Sequence, residues 1–162
     1  MFFEQYTSAT DGTLGEISFG NRAVDGQLAL IQAKNDGAND SAFLAFHTEV
    51  TSGALTERLR ISSDGKVGIG TGANIDELLH VQNDSNNAVI KIEAGSSSTG
   101  ARLQLTSATN DTGDINFGDS GDTNIGRIKY DHTDNYLAIH TNDTEKIRIE
   151  SGGDILIKTA DR

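Results

Sequence analysis

Four histidines are the residues best suited to acid–base chemistry or to metal binding near neutral pH. They are His47, His80, His132 and His140. None stands in a metal-binding spacing such as His-Glu-x-x-His. His47 and His140 occupy the same place in two similar stretches, and a residue that repeats with its strand serves architecture more readily than a unique active site. We therefore predict structural or surface roles for all four.

Carboxylates offer a second chemistry, glycoside hydrolysis, which needs two carboxyl groups about 5 to 9 Å apart. The nearest such cluster comprises Asp119, Asp122, Asp131 and Asp134. These residues lie in stretches rich in Gly, Asn and Ser, where Asp ordinarily forms turns and hydrates loops. We predict a turn-forming role for the cluster and assign no catalytic residue.

Loops rich in Asp and Asn are better candidates for a ligand, because calcium takes oxygen ligands in irregular geometry. Two loops qualify, Asn35–Asp40 and Asp119–Asn124, although neither fits the EF-hand pattern. The chain has no Cys, which excludes disulfides and thiolate metal sites. It also lacks the third glycine of a dinucleotide-binding motif after Gly68-Ile69-Gly70, and it lacks Gly-x-Ser-x-Gly. The sequence predicts a non-enzyme with no catalytic, cofactor-binding or metal-binding residue assigned, and a structural calcium as the one candidate ligand.

The elements that position these residues are expected to be short β-strands. The 162 residues include 18 Gly and no Pro, Cys or Trp, a composition typical of strands joined by turns. The net charge of −11 repels phosphate and argues against nucleic-acid binding. No apolar run is long enough for a membrane span. Large apolar side chains are sparse for a self-contained core, which favours burial against partner chains.

The strongest local signal is the stretch Thr56–Thr71, in which two alternating segments flank Asp64-Gly65. A three-residue loop collects the apolar side chains of both segments on one face, whereas a two-residue loop would divide them between the faces. The predicted pairs are Ile61–Val67 and Leu59–Ile69. Gly65 then takes the left-handed position at the end of the turn without steric cost.

The order of the first half recurs in the second half. The matching stretches are Thr7–Gly20 with Thr106–Gly118, Phe43–Thr48 with Tyr136–Thr141, and Thr56–Ile69 with Thr144–Ile157. The same rule applied to the second hairpin pairs Ile149 with Ile155 and Ile147 with Ile157, and places Gly153 at the turn. We therefore divide the chain into a first β unit (1–72), a connector (73–100) and a shorter second β unit (101–162).

Further elements are predicted along the chain. We predict a short helical turn over 73–79 and a start of the second unit at 101–105. The additional predicted strands are Phe2–Thr7, Glu16–Gly20, Gln27–Ala33, Ala42–Thr48, Leu79–Val81 and Val89–Ile92.

Two features of the hairpins predict how other parts of the protein, or an adjacent chain, contact them. Leu156 and Lys158 replace Gly68 and Gly70, so we expect only the first hairpin to have a tightly approached outer face. Each copy also carries a basic stripe, which either pairs with acidic residues of an adjacent chain or forms a solvated face. The stripes consist of Arg58 and Arg60, and of Lys146 and Arg148.

The segments Glu57–Ile61, Ser63–Thr71 and Leu79–Val81 together resemble a pattern of bacteriophage tail fibres and tailspikes, where it stands upstream of a self-cleaving chaperone domain. The Ile17–Gly20 and Phe43–Thr48 blocks resemble the strands that precede it. The resemblance implies an all-β homotrimer, elongated and either intertwined or side by side, in a virion appendage. This chain has Gly72-Ala73 where such proteins commonly carry a Pro nearby, and we assign no autocleavage.

The resemblance therefore implies a tail-fibre shaft or receptor-proximal segment that contributes to host attachment. Its implied partners are further copies of itself, other virion proteins, and a host glycan or protein receptor. One alternative is a carbohydrate-binding or depolymerase segment of a tailspike, which the small number of aromatic residues weakens. Another is a capsid head fibre or decoration protein built from the same repeats. We also expect the chain to be a segment of a longer repetitive protein.

Overall fold

The computed structural model describes residues 12–21, 23–95 and 100–158. These residues form eleven β-strands and no helix. The described part of the chain holds no helix long and apolar enough to cross a membrane. Two compact units are present, Met1–Ile90 and Lys91–Arg162.

The first unit contains a six-stranded sheet in which spatial order follows chain order. The first five strands form an antiparallel meander, and the sixth strand pairs parallel to the fifth. The strands are β1 (Thr13–Asn21), β2 (Asp25–Asn35), β3 (Ala42–Thr48), β4 (Thr56–Ile61), β5 (Val67–Ile69) and β6 (Leu79–Val81).

The second unit contains a five-stranded antiparallel meander, also in chain order. Its strands are β7 (Thr112–Phe117), β8 (Gly126–Asp131), β9 (Tyr136–Thr141), β10 (Thr144–Ile149) and β11 (Ile155–Ile157). The stretches that recur in the sequence occupy matching places, since β7, β9, β10 and β11 correspond to β1, β3, β4 and β5. The all-β prediction is confirmed.

Both hairpins adopt the predicted register. Ile61 pairs with Val67 and Leu59 with Ile69, and the second hairpin pairs its equivalent residues in the same way. The turn glycines take the left-handed conformation, with φ of 84° at Gly65 and 93° at Gly153. Any one-residue slip would have carried an apolar set to the opposite face, which explains why both copies share one register.

A β-bulge also recurs in both units. The pairing of β3 with β4 shifts between Phe46 and His47, so that Arg58 is an extra residue between the paired Glu57 and Leu59. The pairing of β9 with β10 shifts at the equivalent place, and Lys146 is the extra residue. A bulge turns two successive side chains towards the same side of a sheet.

Several local predictions were wrong. Residues 73–79 form a turn and an extended segment instead of a helical turn, because the chain must bring Leu79 beside Val67. Val89–Ile92 has no strand partner in the described residues and is not a strand. Strand β8 was not predicted, although Ile128 and Tyr130 alternate with charged residues in it.

Two predictions remain untested. The predicted strand Phe2–Thr7 lies outside the described residues. Strand β6 falls within the predicted connector and adds to the first sheet, but the proposed boundaries at 72 and 100 stay predictions.

Candidate functional site

The first sheet has one face that is apolar across its whole width. Hydrogen-bonded neighbours carry an unbroken row of large apolar side chains, one from each of the six strands. The row consists of Ile17, Ile31, Phe46, Leu59, Ile69 and Val81. A second row beside it runs through Ala33, Leu44, Ile61, Val67 and Leu79. We call this side the apolar face of the sheet.

The second sheet repeats the arrangement with a row made of isoleucine alone. The row consists of Ile115, Ile128, Ile139, Ile147 and Ile157. The neighbouring row holds Tyr130, Leu137, Ile149 and Ile155. Period-two alternation therefore places most of the larger aliphatic strand residues of each unit on one side of its sheet, with Leu30 and Leu156 on the other.

Both apolar faces are open to solvent in the single chain. Ile17 is 49% exposed and Phe19 53%, and in the second sheet Phe117 is 57% and Ile157 72% exposed. Soluble monomers rarely expose a contiguous apolar patch of more than a few hundred Å² unless it binds something. The apolar faces are therefore the candidate interaction surfaces of this protein.

The opposite face of each sheet is polar, and yet it holds much of the buried core. In the first unit Phe43 is buried, and the Arg60 guanidinium carbon lies 3.7 Å from the centre of its ring. Glu57 holds the same arginine, with its Oε1 accepting from Arg60 Nε at 2.9 Å. Arg60 is thus paired with a glutamate of its own strand, while Arg58 Nε donates to Thr48 Oγ1 of β3.

The second unit builds the same cluster from equivalent residues. Arg148 stacks on buried Tyr136 at 3.8 Å and donates through Nε to Glu145 Oε1 at 2.9 Å. Lys158 Nζ lies 2.7 Å from the same Oε1. A planar cation over an aromatic face, fixed by a two-pronged carboxylate, gives geometric specificity as well as energy. The repeat thus preserves a stacked ion pair as well as apolar spacing.

This cluster makes stability depend on pH. Hydrogen bonds from Arg148 lower the pKa of Glu145 from 4.5 to about 2, against the opposing effect of partial burial, and Lys158 adds to the shift. The unfolded chain therefore takes up this proton first as the pH falls. The stabilisation is complete above pH 4.5 and should be lost as the pH falls towards 2, by about 2 kcal/mol.

Chemical denaturation between pH 7 and pH 2 measures this dependence. The difference in unfolding free energy between the wild type and Glu145→Gln isolates the contribution of Glu145. That difference should shrink steadily below pH 4.5. A difference that stays constant over this range would show that Glu145 is not held by Arg148.

The two equivalent histidines lie on the polar faces beside these clusters. His140 is 9% exposed, and neither of its ring nitrogens has a hydrogen-bond partner among the described residues. Burial and the nearby Arg127 charge lower the pKa of His140, which keeps its ring neutral near pH 7. His47 pairs across the strands with Glu57, as His140 does with Glu145. The geometry is that of a repeated structural residue.

The carboxylates weighed for glycoside hydrolysis, and predicted to form turns, include two that cap local turns. Asp119 Oδ1 accepts from the main-chain N–H groups of Gly121 and Asp122, and these bonds lower the pKa of Asp119. Asp131 Oδ1 accepts from the N–H groups of Thr133 and Asp134, while its Oδ2 lies 3.2 Å from Lys129 Nζ. These contacts match the predicted turn-forming role.

The Asp/Asn loops are likewise held by local bonds. Asn35 is buried, and its Nδ2 donates to the carbonyls of Ala38 and Ser41. Asp36 Oδ2 accepts from the N–H of Ser63 in the hairpin turn. Within the ranges that the structure describes, no three His, Asp or Glu side chains are grouped so as to hold a metal ion. A structural calcium stays an untested prediction.

The glycines of the first hairpin make room for the chain itself. Thr71 and Ile75, both buried, lie over Gly68 on the polar face. A Cβ at Gly68 would overlap the Thr71 hydroxyl and lie 2.9 Å from Ile75 Cδ1. Leu156, at the equivalent place in the second hairpin, is 43% exposed. The close neighbour of the first hairpin is therefore the segment that follows it.

Replacement of Gly68 by Ala should lower the free energy of unfolding by about 1 to 3 kcal/mol, because the added methyl group overpacks a closed contact. Gly26→Ala is the matched control, since Gly26 also lies in a strand and a Cβ there meets nothing within 4 Å. Urea denaturation of the two variants measures the difference. Equal stability of the two variants would mean that Ile75 does not seal this surface.

Comparison with known proteins gives a match in structure alone. No protein-family profile matches the chain, and no curated protein matches it in sequence. The carboxy-terminal domain of the bacteriophage T5 L-shaped tail fibre superposes with a TM-score of 0.68 at 11% identity. The match covers 99% of this chain and 87% of that domain. The chain thus shares its all-β fold with a phage tail-fibre domain.

Proposed function

We propose that this protein is a structural segment of a bacteriophage tail fibre, which assembles as a homotrimer and contributes to host attachment. The observation that carries the proposal is the pair of solvent-open apolar faces, on a fold shared with a tail-fibre domain. Each sheet is two-sided, with charged clusters on one face and aliphatic rows on the other. Contact between the aliphatic rows of several copies would remove this apolar area from water, which favours association.

Self-association is favoured over a foreign partner by the repetition of the surface. Both units carry the same aliphatic spacing, so copies of one chain present matching rows to one another. The choice of a trimer follows from the resemblance to tail fibres. The exposed aliphatic rows support self-association without fixing the number of copies. The trimer would turn the Arg60 and Arg148 clusters outwards, towards solvent, other virion proteins and a host glycan or protein receptor.

A structural role also suits the polar residues. Glu57 and Glu145 are engaged by arginines, Asp119 and Asp131 are engaged in turns, and His140 is buried. These four carboxylates are thus used to hold the strands and turns. We therefore propose a non-enzymatic part of the virion.

Antibody labelling of purified phage particles tests this proposal. Gold-labelled antibody raised against the chain should decorate the tail fibres, and the same antibody should slow adsorption to host cells. An unrelated antibody of the same class is the control. Label confined to the capsid would replace the tail-fibre proposal with the head-fibre alternative.

A further inference from the structure

The connector contains an apolar stretch that has no strand partner among the residues that the structure describes. Residues 88–92 read Ala-Val-Ile-Lys-Ile and lie outside any helix, strand or turn, with Ile90 69% and Ile92 48% exposed. Across described residues 83–95 no main-chain group bonds to another described main-chain group. Val and Ile favour strands, yet an extended segment needs a neighbour to satisfy its N–H and C=O groups.

The second sheet ends in a free edge of the kind that such a segment fits. Strand β11 is the last strand of its sheet, and all three of its side chains are exposed. Its counterpart β5 is covered by β6, with Val67 N–H donating to the Leu78 carbonyl and Ile69 C=O accepting from Gln82 N–H. The corresponding groups of β11 are Ile155 N–H and Ile157 C=O, which have no partner in the described residues.

The side-chain pattern and the charge of residues 88–92 both suit pairing with the edge of β11. Ile90 and Ile92 alternate with Lys91, as the second sheet alternates between an apolar and a charged face. Residues 83–95 carry Asp84, Lys91 and Glu93 only, so this segment is close to neutral within a chain of net charge −11. It is therefore a segment that a second acidic copy can accept with little repulsion.

We propose that residues 88–92 of one copy add as a strand to the free edge of β11 in a second copy, as β6 adds to β5 within one chain. Ile90 and Ile92 then extend the apolar face of the neighbouring second sheet. This inference rests on the proposed homotrimer and specifies that its copies are intertwined instead of side by side. In a closed ring every copy both donates and receives one strand.

Sedimentation equilibrium of the full chain tests the exchange with the double variant Ile90→Gln/Ile92→Gln. Both side chains are exposed in the single chain, so the variant should keep its fold by circular dichroism. Its trimer should dissociate at a concentration at least about a hundredfold higher than that of the wild type. Asn87→Gln, at an exposed residue just outside the proposed strand, is the control and should leave the dissociation unchanged.

Hydrogen exchange provides a second readout that does not depend on a variant. In the assembled wild type the amide of Ile155 and the amides of 88–92 should be protected, and dilution to monomer should release both together. A trimer whose assembly is unaffected by the double variant, or whose Ile155 amide is unprotected, overturns the exchange and leaves the proposed function standing. Protection of Ile155 that persists in the double variant indicates another occupant and also overturns it. A wild type that stays monomeric overturns the proposed function and this inference with it.

Discussion

Replacing Phe117 with Asp should break the assembly into single chains without unfolding them. Phe117 lies at the end of β7 on the apolar face and is 57% exposed in the single chain. In a trimer the substitution removes an aromatic contact of about 2 to 3 kcal/mol in each copy and buries a carboxylate there. Because each of three copies carries the change, the association constant should fall by about 10⁴-fold or more.

Asn116→Asp is the matched control for this variant. Asn116 is the preceding residue of the same strand, is also exposed, and lies on the opposite, polar face beside Arg127. The control adds the same charge to the same strand. Light scattering coupled to size exclusion should show monomer for Phe117→Asp and the wild-type mass for Asn116→Asp. Equal masses for the two variants would mean that the apolar face is not the interface.

The largest loss of stability is expected for Tyr136→Ala. Tyr136 is 8% exposed, and Arg148 lies over its ring at 3.8 Å. Truncation leaves a cavity and deprives the Arg148–Glu145 pair of the surface on which it rests. The free energy of unfolding should fall by about 3 to 5 kcal/mol, measured by urea denaturation at fixed protein concentration.

Tyr136→Phe separates the packing of the ring from the role of its hydroxyl. The first unit already uses Phe43 under Arg60 at the equivalent place, so this variant should stay within about 1 kcal/mol of the wild type. Comparable losses for the Ala and Phe variants would show that the hydroxyl, and not the stacked ring, stabilises the second unit.

The register of both hairpins could be predicted because it depends on short-range facts. Leu59 and Ile61 can share a face with Ile69 and Val67 in one register only, and a glycine stands where that turn needs a left-handed residue. The recurrence of the same geometry around Gly153 gave a second, independent instance. The strands and the turn of each hairpin could therefore be predicted from alternation and the position of one glycine.

The core could not be predicted in the same way. Hydropathy assigns the interior to Leu59, Ile61 and their neighbours, whereas the buried aromatic residues Phe43 and Tyr136 lie on the charged side. They are buried because arginines cover them, and that contact depends on a β-bulge that aligns glutamate and arginine. The signal that could have found it is the matching recurrence of an aromatic residue and an arginine in both copies.

In the connector, by contrast, the sequence predicts a strand that the structure does not form. Val89–Ile92 has the β-branched composition of a strand, yet strand formation needs a neighbour that composition does not supply. Strand β8 was not predicted, although Ile128 and Tyr130 alternate with Arg127 and Lys129 in it, and Lys129 is paired with Asp131 of the same strand. Pairing is a tertiary property, and a sequence pattern only limits which pairings bury apolar area.

Sedimentation equilibrium of the wild-type chain at micromolar concentration tests the central claim most directly. A homotrimer joined through its apolar faces predicts a mass of about 52 kDa, three times the 17.2 kDa of one chain. The trimer should persist, and its association constant should rise, as salt is added. The reason is that salt screens the repulsion between chains of charge −11. A stable, folded 17.2 kDa monomer under the same conditions would contradict the account.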